Sequence, residues 1–272
     1  MIIEIVGKQG AGKTALNTLF EILEERYNGQ TMLRYSNKVI RDINASTGSS
    51  HQLLTKPPIY ANYESRLTVG YDKEFVPYVL NPYLLGVPTE KTADKIQYIL
   101  PCSCLHITEG RKYWDGRESS TMPDNVSQWF ETHRHNYMTI IIDTQRGNAL
   151  DLNIRANANL FIEVQFMENE EDAYGRIISS TWYCKEFYSL QDYEGYLVGK
   201  QGVYWRDTKY HYEGNIFECF KSRNRMQDFI PPKNVEYSML KWVSECDLNK
   251  LSKPTQEIFK QRRPEWYRQK TA

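Results

Sequence analysis

The chain has 272 residues, 40% hydrophobic and 13% aromatic, which is enough for one large domain or for a core domain with an appendage. Its 34 basic residues balance 34 acidic ones, so the composition excludes a protein that coats nucleic acid through bulk charge. No run of about 18 apolar residues and no secretory signal occurs, which predicts a cytoplasmic protein without an intrinsic membrane segment.

The first predicted elements are a buried strand and an amphipathic helix on either side of a glycine-rich loop. The strand is MIIEIV, residues 1–6, and the helix begins at Lys13 with Leu16 and Phe20 on its apolar face. The Asn-Gly pair at 28–29 predicts the end of this helix.

The loop between these two elements fits the P-loop pattern G-x-x-x-x-G-K-[ST] at Gly7, Gly12, Lys13 and Thr14. In such a loop the backbone N–H groups surround an anion, the lysine reaches the β- and γ-phosphates, and the hydroxyl holds Mg²⁺. Because a strand and a helix flank the motif as it requires, we predict that the loop binds ATP and Mg²⁺. The predicted nucleotide-binding residues are Gly7, Lys8, Gln9, Gly10, Ala11, Gly12, Lys13, Thr14 and Ala15.

Two later strands carry acidic residues where each strand ends. CLHITEG, residues 104–110, ends in Glu109, and YMTIIIDTQ, residues 137–145, carries Asp143 and Gln145. The carboxyl ends of parallel strands border the ligand in an open sheet, so either acid can reach the phosphates. From the residues alone, both acids are candidates to help hold Mg²⁺ and to activate water.

Helical segments alternate with these strands. The segment 125–137 is a predicted helix that carries Arg134, and 150–166 is a short helix with Arg155 followed by another apolar strand. This alternation predicts an α/β protein with a mostly parallel central sheet, right-handed crossovers and flanking helices.

Taken in order, these pieces resemble the ATPase domain of the zonula-occludens-toxin (Zot) family. That family includes the filamentous-phage assembly ATPases and belongs to the FtsK/HerA group of P-loop motors that pump DNA. The matching features are the strand that ends in glutamate, a His-Arg-His segment, a strand that ends in Thr-Gln, and an Ile-Arg helix. The likeness covers residues 1–165 well and 166–232 faintly.

The resemblance implies a role for each candidate residue. Glu109 is the base that activates water, and it contacts Mg²⁺ through a water. Gln145 senses the γ-phosphate, while Asp143 has a structural or secondary role inside its strand. Arg134 or Arg155 is the arginine that reaches the phosphate of a neighbouring subunit.

The chain departs from the family pattern at two points. Family members usually have Asp-Glu where this chain has Thr108 and Glu109, and the aspartate normally supports Mg²⁺, so metal affinity or hydrolysis rate is in question. Filamentous-phage members carry a membrane-spanning helix after the ATPase domain, and no such apolar run occurs here. Packaging of DNA by a soluble motor therefore fits better than extrusion through a membrane.

The later part of the chain differs in composition. ENEED, residues 168–172, predicts an acidic linker, and the segments after it are rich in tyrosine, tryptophan and glycine, which predicts a small antiparallel β extension. A helix and a basic tail follow the PPKN segment at 231–234. The predicted domains are a P-loop core (1–165), a β-rich appendage (166–232) and a helical, basic C-terminal tail (233–272).

The predicted function is that of an ATP-hydrolysing motor subunit of viral or phage type, which drives DNA translocation in genome packaging or virion assembly. Such a motor implies double-stranded DNA, capsid, portal or assembly proteins as partners, a pentameric or hexameric ring, and the host-cell cytoplasm. Two alternatives stay open: a small-molecule or nucleoside kinase that uses the same P-loop, and a nucleotide-binding regulatory subunit whose catalysis has decayed.

Overall fold

The structure is a computed structural model that describes residues 1–48, 50–68, 74–87, 96–97, 99–117 and 122–221. The predicted C-terminal tail, 233–272, lies outside the described residues. Within them, no helix combines the length and apolar character needed to cross a membrane. The α-helices are α1 (Lys13–Thr47), α2 (Asp124–Thr132), α3 (Leu152–Asn157) and α4 (Leu190–Leu197). The strands are β1 (Ile2–Val6), β2 (Ile59–Ala61), β3 (Leu67–Thr68), β4 (Glu74–Phe75), β5 (Tyr78–Val79), β6 (Cys104–Ile107), β7 (Thr139–Thr144), β8 (Leu160–Glu171), β9 (Ile177–Phe187) and β10 (Arg206–Glu213).

An eight-stranded sheet in the order β10-β9-β8-β1-β7-β6-β2-β5 forms the centre of the protein. All neighbours from β8 to β5 are parallel, whereas β9 and β10 run antiparallel to the strands beside them. The predicted α/β class with a mostly parallel sheet is confirmed. Since β1, β6 and β7 are parallel, their carboxyl ends meet at one edge of the sheet, and the loops after them converge there.

The central strand β1 is buried along its whole length because helices cover both faces of the sheet. Ile3 and Ile5 pack with Phe20 of α1 on one face, while Ile2 packs with Phe130 of α2 on the other. This packing explains why the strand is a nearly continuous apolar run. It also fixes the loop after β1 at the edge where the other carboxyl ends lie.

Helix α1 is longer than the sequence predicted. It runs for 35 residues, so the predicted end at 28–29 was wrong. Gly29 lies inside the helix, and Pro57 packs so closely against it that a Cβ at this position would lie 3.0 Å from the Pro57 ring. The helix ends at Gly48, whose φ of 69° is the left-handed conformation that favours glycine.

Strand β8 joins the parallel and antiparallel parts of the sheet. Residues 160–163 pair with β1, whereas the rest of the strand pairs only with β9 and is mostly exposed. The prediction that 168–172 form a linker was therefore wrong, since the strand continues to Glu171 and Glu168 accepts a hydrogen bond from the Tyr183 hydroxyl at 2.9 Å. The predicted antiparallel extension is present as β9 and β10, with α4 between them. The division into three domains stays a prediction, and its first boundary falls inside β8.

Candidate nucleotide-binding site

The loop between β1 and α1 needs its glycines for specific reasons. Gly10 and Gly12 have φ angles of 81° and 86°, which side chains other than glycine rarely adopt. Gly7 lies so close to the neighbouring strand that a Cβ would be 2.9 Å from the carbonyl oxygen of Val164. The loop therefore holds a fixed shape at the amino end of α1, where the helix dipole and free N–H groups favour an anion.

Lys13 is the cation of this loop. Its side chain is 9% exposed, and its Nζ donates a hydrogen bond to the Lys8 carbonyl at 2.9 Å. Burial lowers the pKa of Lys13, whereas the charges of Asp143 and Glu109 act in the opposite direction. The ammonium group is thus held close to two carboxylates at the cavity.

The end of the loop is supported by the antiparallel part of the sheet. Trp182 of β9 donates from Nε1 to the carbonyl of Gly12 at 3.0 Å, and Trp182 itself is completely buried. Met167 of β8 lies beside it, with its sulfur 2.6 Å from the position that a Cβ of Gly12 would occupy. Both residues were missed in the sequence analysis because this part of the chain was treated as an appendage.

Asp143 of β7 lies under the loop and connects two predicted site residues. Its Oδ1 accepts the backbone N–H of Glu109 at 2.9 Å, and its Oδ2 is 3.4 Å from the Thr14 hydroxyl. Burial raises the pKa of Asp143 to about 6, while the Glu109 amide and the charge of Lys13 lower it. The carboxylate is therefore buried but surrounded by polar partners.

Glu109 follows β6 in a strained turn. Its φ of 53° and ψ of 46° are left-handed, a conformation that costs a non-glycine residue about 1–3 kcal/mol and often occurs at functional sites. The turn packs directly on β7, because a Cβ on Gly110 would lie 2.3 Å from Ile142. The side chain of Glu109 is exposed and lines the cavity.

Thr108, where the family pattern has an aspartate, is held instead by Asn62, the residue that follows β2. Asn62 accepts the Thr108 N–H at 2.8 Å and donates to the Thr108 carbonyl at 3.0 Å. The Thr108 hydroxyl also donates to Asn62 Oδ1, at 3.3 Å. Thr108 is absent from the described residues that line the cavity.

The cavity at the carboxyl edge of the sheet has a volume of about 950 Å³, within the range of known ligand pockets. Loop residues line one side, acidic residues line a second, and Met167, Phe217 and Phe220 form an apolar wall. Gly7, Lys8 and Ala11 are not among the lining residues, and the first two support the loop through the contacts given above. The predicted residues that do line it are Gln9, Gly10, Gly12, Lys13, Thr14, Ala15, Glu109 and Gln145.

The structure does not bring either predicted arginine to this cavity. Arg134 is exposed in the turn after α2, beside the start of β7, which is the opposite edge of the sheet. Arg155 of α3 has a side chain only 12% exposed, and its Nη1 pairs with Glu194 at 2.6 Å. Within one chain, both arginines are therefore separate from the phosphate loop.

A basic pair that the sequence analysis did not place in the site also lines the cavity. Arg111 and Lys112 follow Glu109 after one glycine, and this proximity in the chain was the available signal. Arg111 pairs with Asp115 at 3.0 Å, and Asp115 also pairs with Arg117 at 2.8 Å. The hydrogen bonds from Arg117, followed by those from Arg111, hold the pKa of Asp115 below its usual range.

The donor set of the cavity fits magnesium. Thr14, Asp143 and Glu109 offer oxygen atoms, which Mg²⁺ prefers, and Mg²⁺ commonly binds through one or two carboxylates together with substrate phosphates. Among the described residues, no group of three or more His, Cys, Asp or Glu side chains can hold a metal by itself. The residues therefore fit an ion that binds together with a triphosphate.

Fold and site together define an α/β P-loop protein with a nucleotide-sized cavity at the carboxyl edge of its sheet. No protein-family model matches the chain, and no curated protein matches it by sequence.

The similar solved structures include the N-terminal domain of zonular occludens toxin from Neisseria meningitidis, at 14% identity and a TM-score of 0.41, over 81% of this chain and 98% of that one. They also include the genome packaging NTPase B204 from Sulfolobus turreted icosahedral virus 2. In complex with ATP-gammaS it matches at 13% identity and a TM-score of 0.32, over 64% of this chain and 78% of that one. In complex with AMP it matches at 10% identity and a TM-score of 0.35, over 76% of this chain and 95% of that one.

A Zot domain, from the family named in the sequence analysis, is among these structures. All three TM-scores lie below 0.5, so the roles of individual residues rest on the chain's own geometry.

Proposed function

We propose that this chain is the ATP-hydrolysing subunit of a viral or phage-type motor that drives DNA translocation during genome packaging or virion assembly. The observation that carries the ATPase part is the cavity, in which Lys13 and Thr14 face Glu109 across a space of about 950 Å³. The motor part rests on the resemblance of residues 1–165 to the Zot family.

In this proposal the loop binds the triphosphate. The N–H groups after Gln9 and the amino end of α1 surround the phosphates, and the buried position of Lys13 directs its ammonium group at the β- and γ-phosphates. The Lys8 carbonyl keeps that ammonium group in place. The Thr14 hydroxyl would hold Mg²⁺, with Glu109 in contact through a water, and such an ion would supply positive charge to offset that of the phosphates.

Glu109 is the general base of the proposed hydrolysis. It takes the proton of a water whose oxygen attacks the γ-phosphorus, and the bond from that phosphorus to the β–γ bridging oxygen breaks. Gln145, at the carboxyl end of β7, also lines the cavity and would sense the γ-phosphate. The strained turn at Glu109 holds the base at the cavity.

Two further contacts are proposed, one with the nucleobase and one with a neighbouring subunit. The apolar wall that contains Met167 and Phe217 is proposed to pack on the nucleobase of ATP. In a pentameric or hexameric ring, the exposed Arg134, or Arg155 after release from its pair with Glu194, would act on the cavity of a neighbouring copy. Double-stranded DNA and capsid, portal or assembly proteins are the proposed partners of that ring.

The test measures ATP hydrolysis with and without double-stranded DNA, and the molecular mass in the presence of ATP. We expect DNA to stimulate hydrolysis in a species of ring size. Glu109→Gln should retain ATP binding and lose hydrolysis by about 10²- to 10⁴-fold, because the variant lacks the base. A monomer whose hydrolysis ignores DNA, or a Glu109→Gln variant that keeps full turnover, would contradict the proposal.

The kinase alternative has one observation in its favour, since Arg111 and Lys112 line the cavity and offer contacts to a phosphate acceptor. A screen of nucleosides and small-molecule acceptors against ATP hydrolysis alone separates the two functions. Phosphoryl transfer to an acceptor would replace the motor proposal, and ATP binding without turnover in the presence of DNA would favour a regulatory subunit.

A further inference from the structure

We propose that Asp143 is the carboxylate that holds magnesium beside Thr14, in place of an acid at position 108. Asp143 lies on β7, between the strand of the P-loop and the strand that leads to Glu109. The inference rests on the proposed function, because it requires a magnesium–nucleotide complex in the cavity.

The cavity offers three carboxylates, and their partners differ. Asp143 has an oxygen 3.4 Å from the Thr14 hydroxyl. Asp115 is already paired with Arg111 and with a second arginine. Glu109 is exposed on the turn after β6, where it is placed to act on water. Of the acids among the described residues that line the cavity, Asp143 is therefore the one in contact with the metal-binding hydroxyl.

Position 108 does not supply this contact. All three polar groups of Thr108, its N–H, carbonyl and hydroxyl, are engaged by Asn62, the residue that directly follows β2. The hydroxyl of Thr108 thus bonds to Asn62. The metal-holding position has moved by one strand, from the end of β6 to β7.

The second oxygen of Asp143 contacts the turn that carries Glu109. It accepts the N–H of Glu109 at 2.9 Å, and Glu109 is the residue with the left-handed backbone. Asp143 therefore joins the metal-holding hydroxyl to the turn that presents the base.

Two substitutions at Asp143 separate the effect of its negative charge from that of its hydrogen bond to Glu109. Asp143→Asn keeps an oxygen that accepts the Glu109 N–H but loses the negative charge, whereas Asp143→Ala loses both. Thr108→Val is the matched control, because it removes a hydroxyl that contacts Asn62 and leaves both backbone hydrogen bonds to Asn62 in place.

The experiment titrates a fluorescent ATP analogue into each protein, first in EDTA and then with increasing Mg²⁺. We expect Mg²⁺ to increase the affinity for the ATP analogue equally in the wild type and in Thr108→Val. Asp143→Asn should bind as the wild type does in EDTA but require about 10- to 100-fold more Mg²⁺, the usual effect of losing a group that supports a metal. Asp143→Ala should show the same increase in the Mg²⁺ concentration required.

The rate of hydrolysis at saturating Mg²⁺ then tests the contact between Asp143 and the Glu109 N–H. This rate should fall further in Asp143→Ala than in Asp143→Asn. An unchanged Mg²⁺ requirement in Asp143→Asn, or a raised one in Thr108→Val, would overturn the inference. Absence of nucleotide binding by the wild type in both conditions would instead overturn the proposed function.

A metal exchange keeps the inference testable if the Asn and Ala variants fail to fold. Asp143→Cys places a thiolate beside Thr14, and thiolates favour soft metals over Mg²⁺. We expect Cd²⁺ to tighten nucleotide binding by Asp143→Cys more than Mg²⁺ does, relative to the same pair of titrations on the wild type. Equal responses in the two proteins would overturn the inference.

Discussion

The parallel and antiparallel parts of the sheet contribute to the cavity in different ways. In the parallel part, the ends of β1, β6 and β7 present the polar groups: Lys13 after β1, Glu109 after β6 and Asp143 on β7. In the antiparallel part, Met167 and Trp182 contribute by packing and by one hydrogen bond to the loop.

This difference shows that the antiparallel part of the sheet contacts the loop after β1 although its strands contribute no charged group to the cavity. A carboxyl edge can collect polar groups from several parallel strands because all of those strands end on the same side. An antiparallel pair has no such edge, so β8 and β9 support the loop from the flank. The predictions below test each contribution separately.

The largest effect is expected in the parallel part, for Lys13→Ala. Loss of a charged hydrogen-bond donor to phosphate should weaken ATP binding by about 3 kcal/mol, or roughly 100-fold, in a titration with a fluorescent ATP analogue. Lys8→Ala is the matched control, because the Lys8 side chain is exposed and its contribution to the loop is a backbone carbonyl. Equal affinities of the two variants would contradict the role of Lys13.

The second effect concerns the pH dependence of stability, and it is expected from Glu4, an acid buried in the middle of β1. Neither of its carboxylate oxygens has a hydrogen-bond partner among the described residues, and its side chain is 1% exposed. Burial raises the pKa of Glu4 to about 8, against the lowering effect of Arg155.

The raised pKa of Glu4 determines whether stability rises or falls with pH. The stability that Glu4 contributes is fully present below its ordinary pKa of 4.5 and is lost as the pH rises through about 8. We expect the free energy of unfolding to fall with pH in this window, by at most about 1.4 kcal/mol per pH unit, and Glu4→Gln to remove this component. Urea unfolding of both proteins from pH 5 to 9 measures it, and identical pH profiles would show that Glu4 is charged in the folded state.

The smallest effect is expected in the antiparallel part, for Trp182→Phe. The variant loses the hydrogen bond to the Gly12 carbonyl, which should lower the free energy of unfolding by about 1–2 kcal/mol in urea. ATP affinity should fall less than in Lys13→Ala, because no phosphate contact is removed. Trp205→Phe serves as the control, since Trp205 is 38% exposed. If the two tryptophan variants behave alike, β9 does not support the loop in the way described.

Local features of the site could be predicted from the sequence, because the P-loop spacing and its flanking strand and helix are contiguous in the chain. The same holds for Glu109 and Gln145, which end recognisable strands. Asp143 was one of two candidates from the residues alone to hold Mg²⁺, but its position between Thr14 and Glu109 could not be predicted in this way. It depends on the order of strands in the sheet, which places β7 directly beside β1.

Two predictions failed at segments that contact distant parts of the chain. The Asn-Gly pair at 28–29 usually ends a helix, but Pro57 packs against Gly29 and the helix continues. The acidic segment 168–172 is typical of a linker, but pairing with β9 makes a strand of its first four residues. In both cases the partner lies outside the window in which a sequence pattern is visible.

The most direct measurement is a crystal structure of the protein with a non-hydrolysable ATP analogue and Mg²⁺. We expect the triphosphate between Lys13 and Glu109, with the metal next to the Thr14 hydroxyl. An analogue bound elsewhere, with the space between Lys13 and Glu109 empty or closed, would contradict the assignment of this cavity as an ATP site.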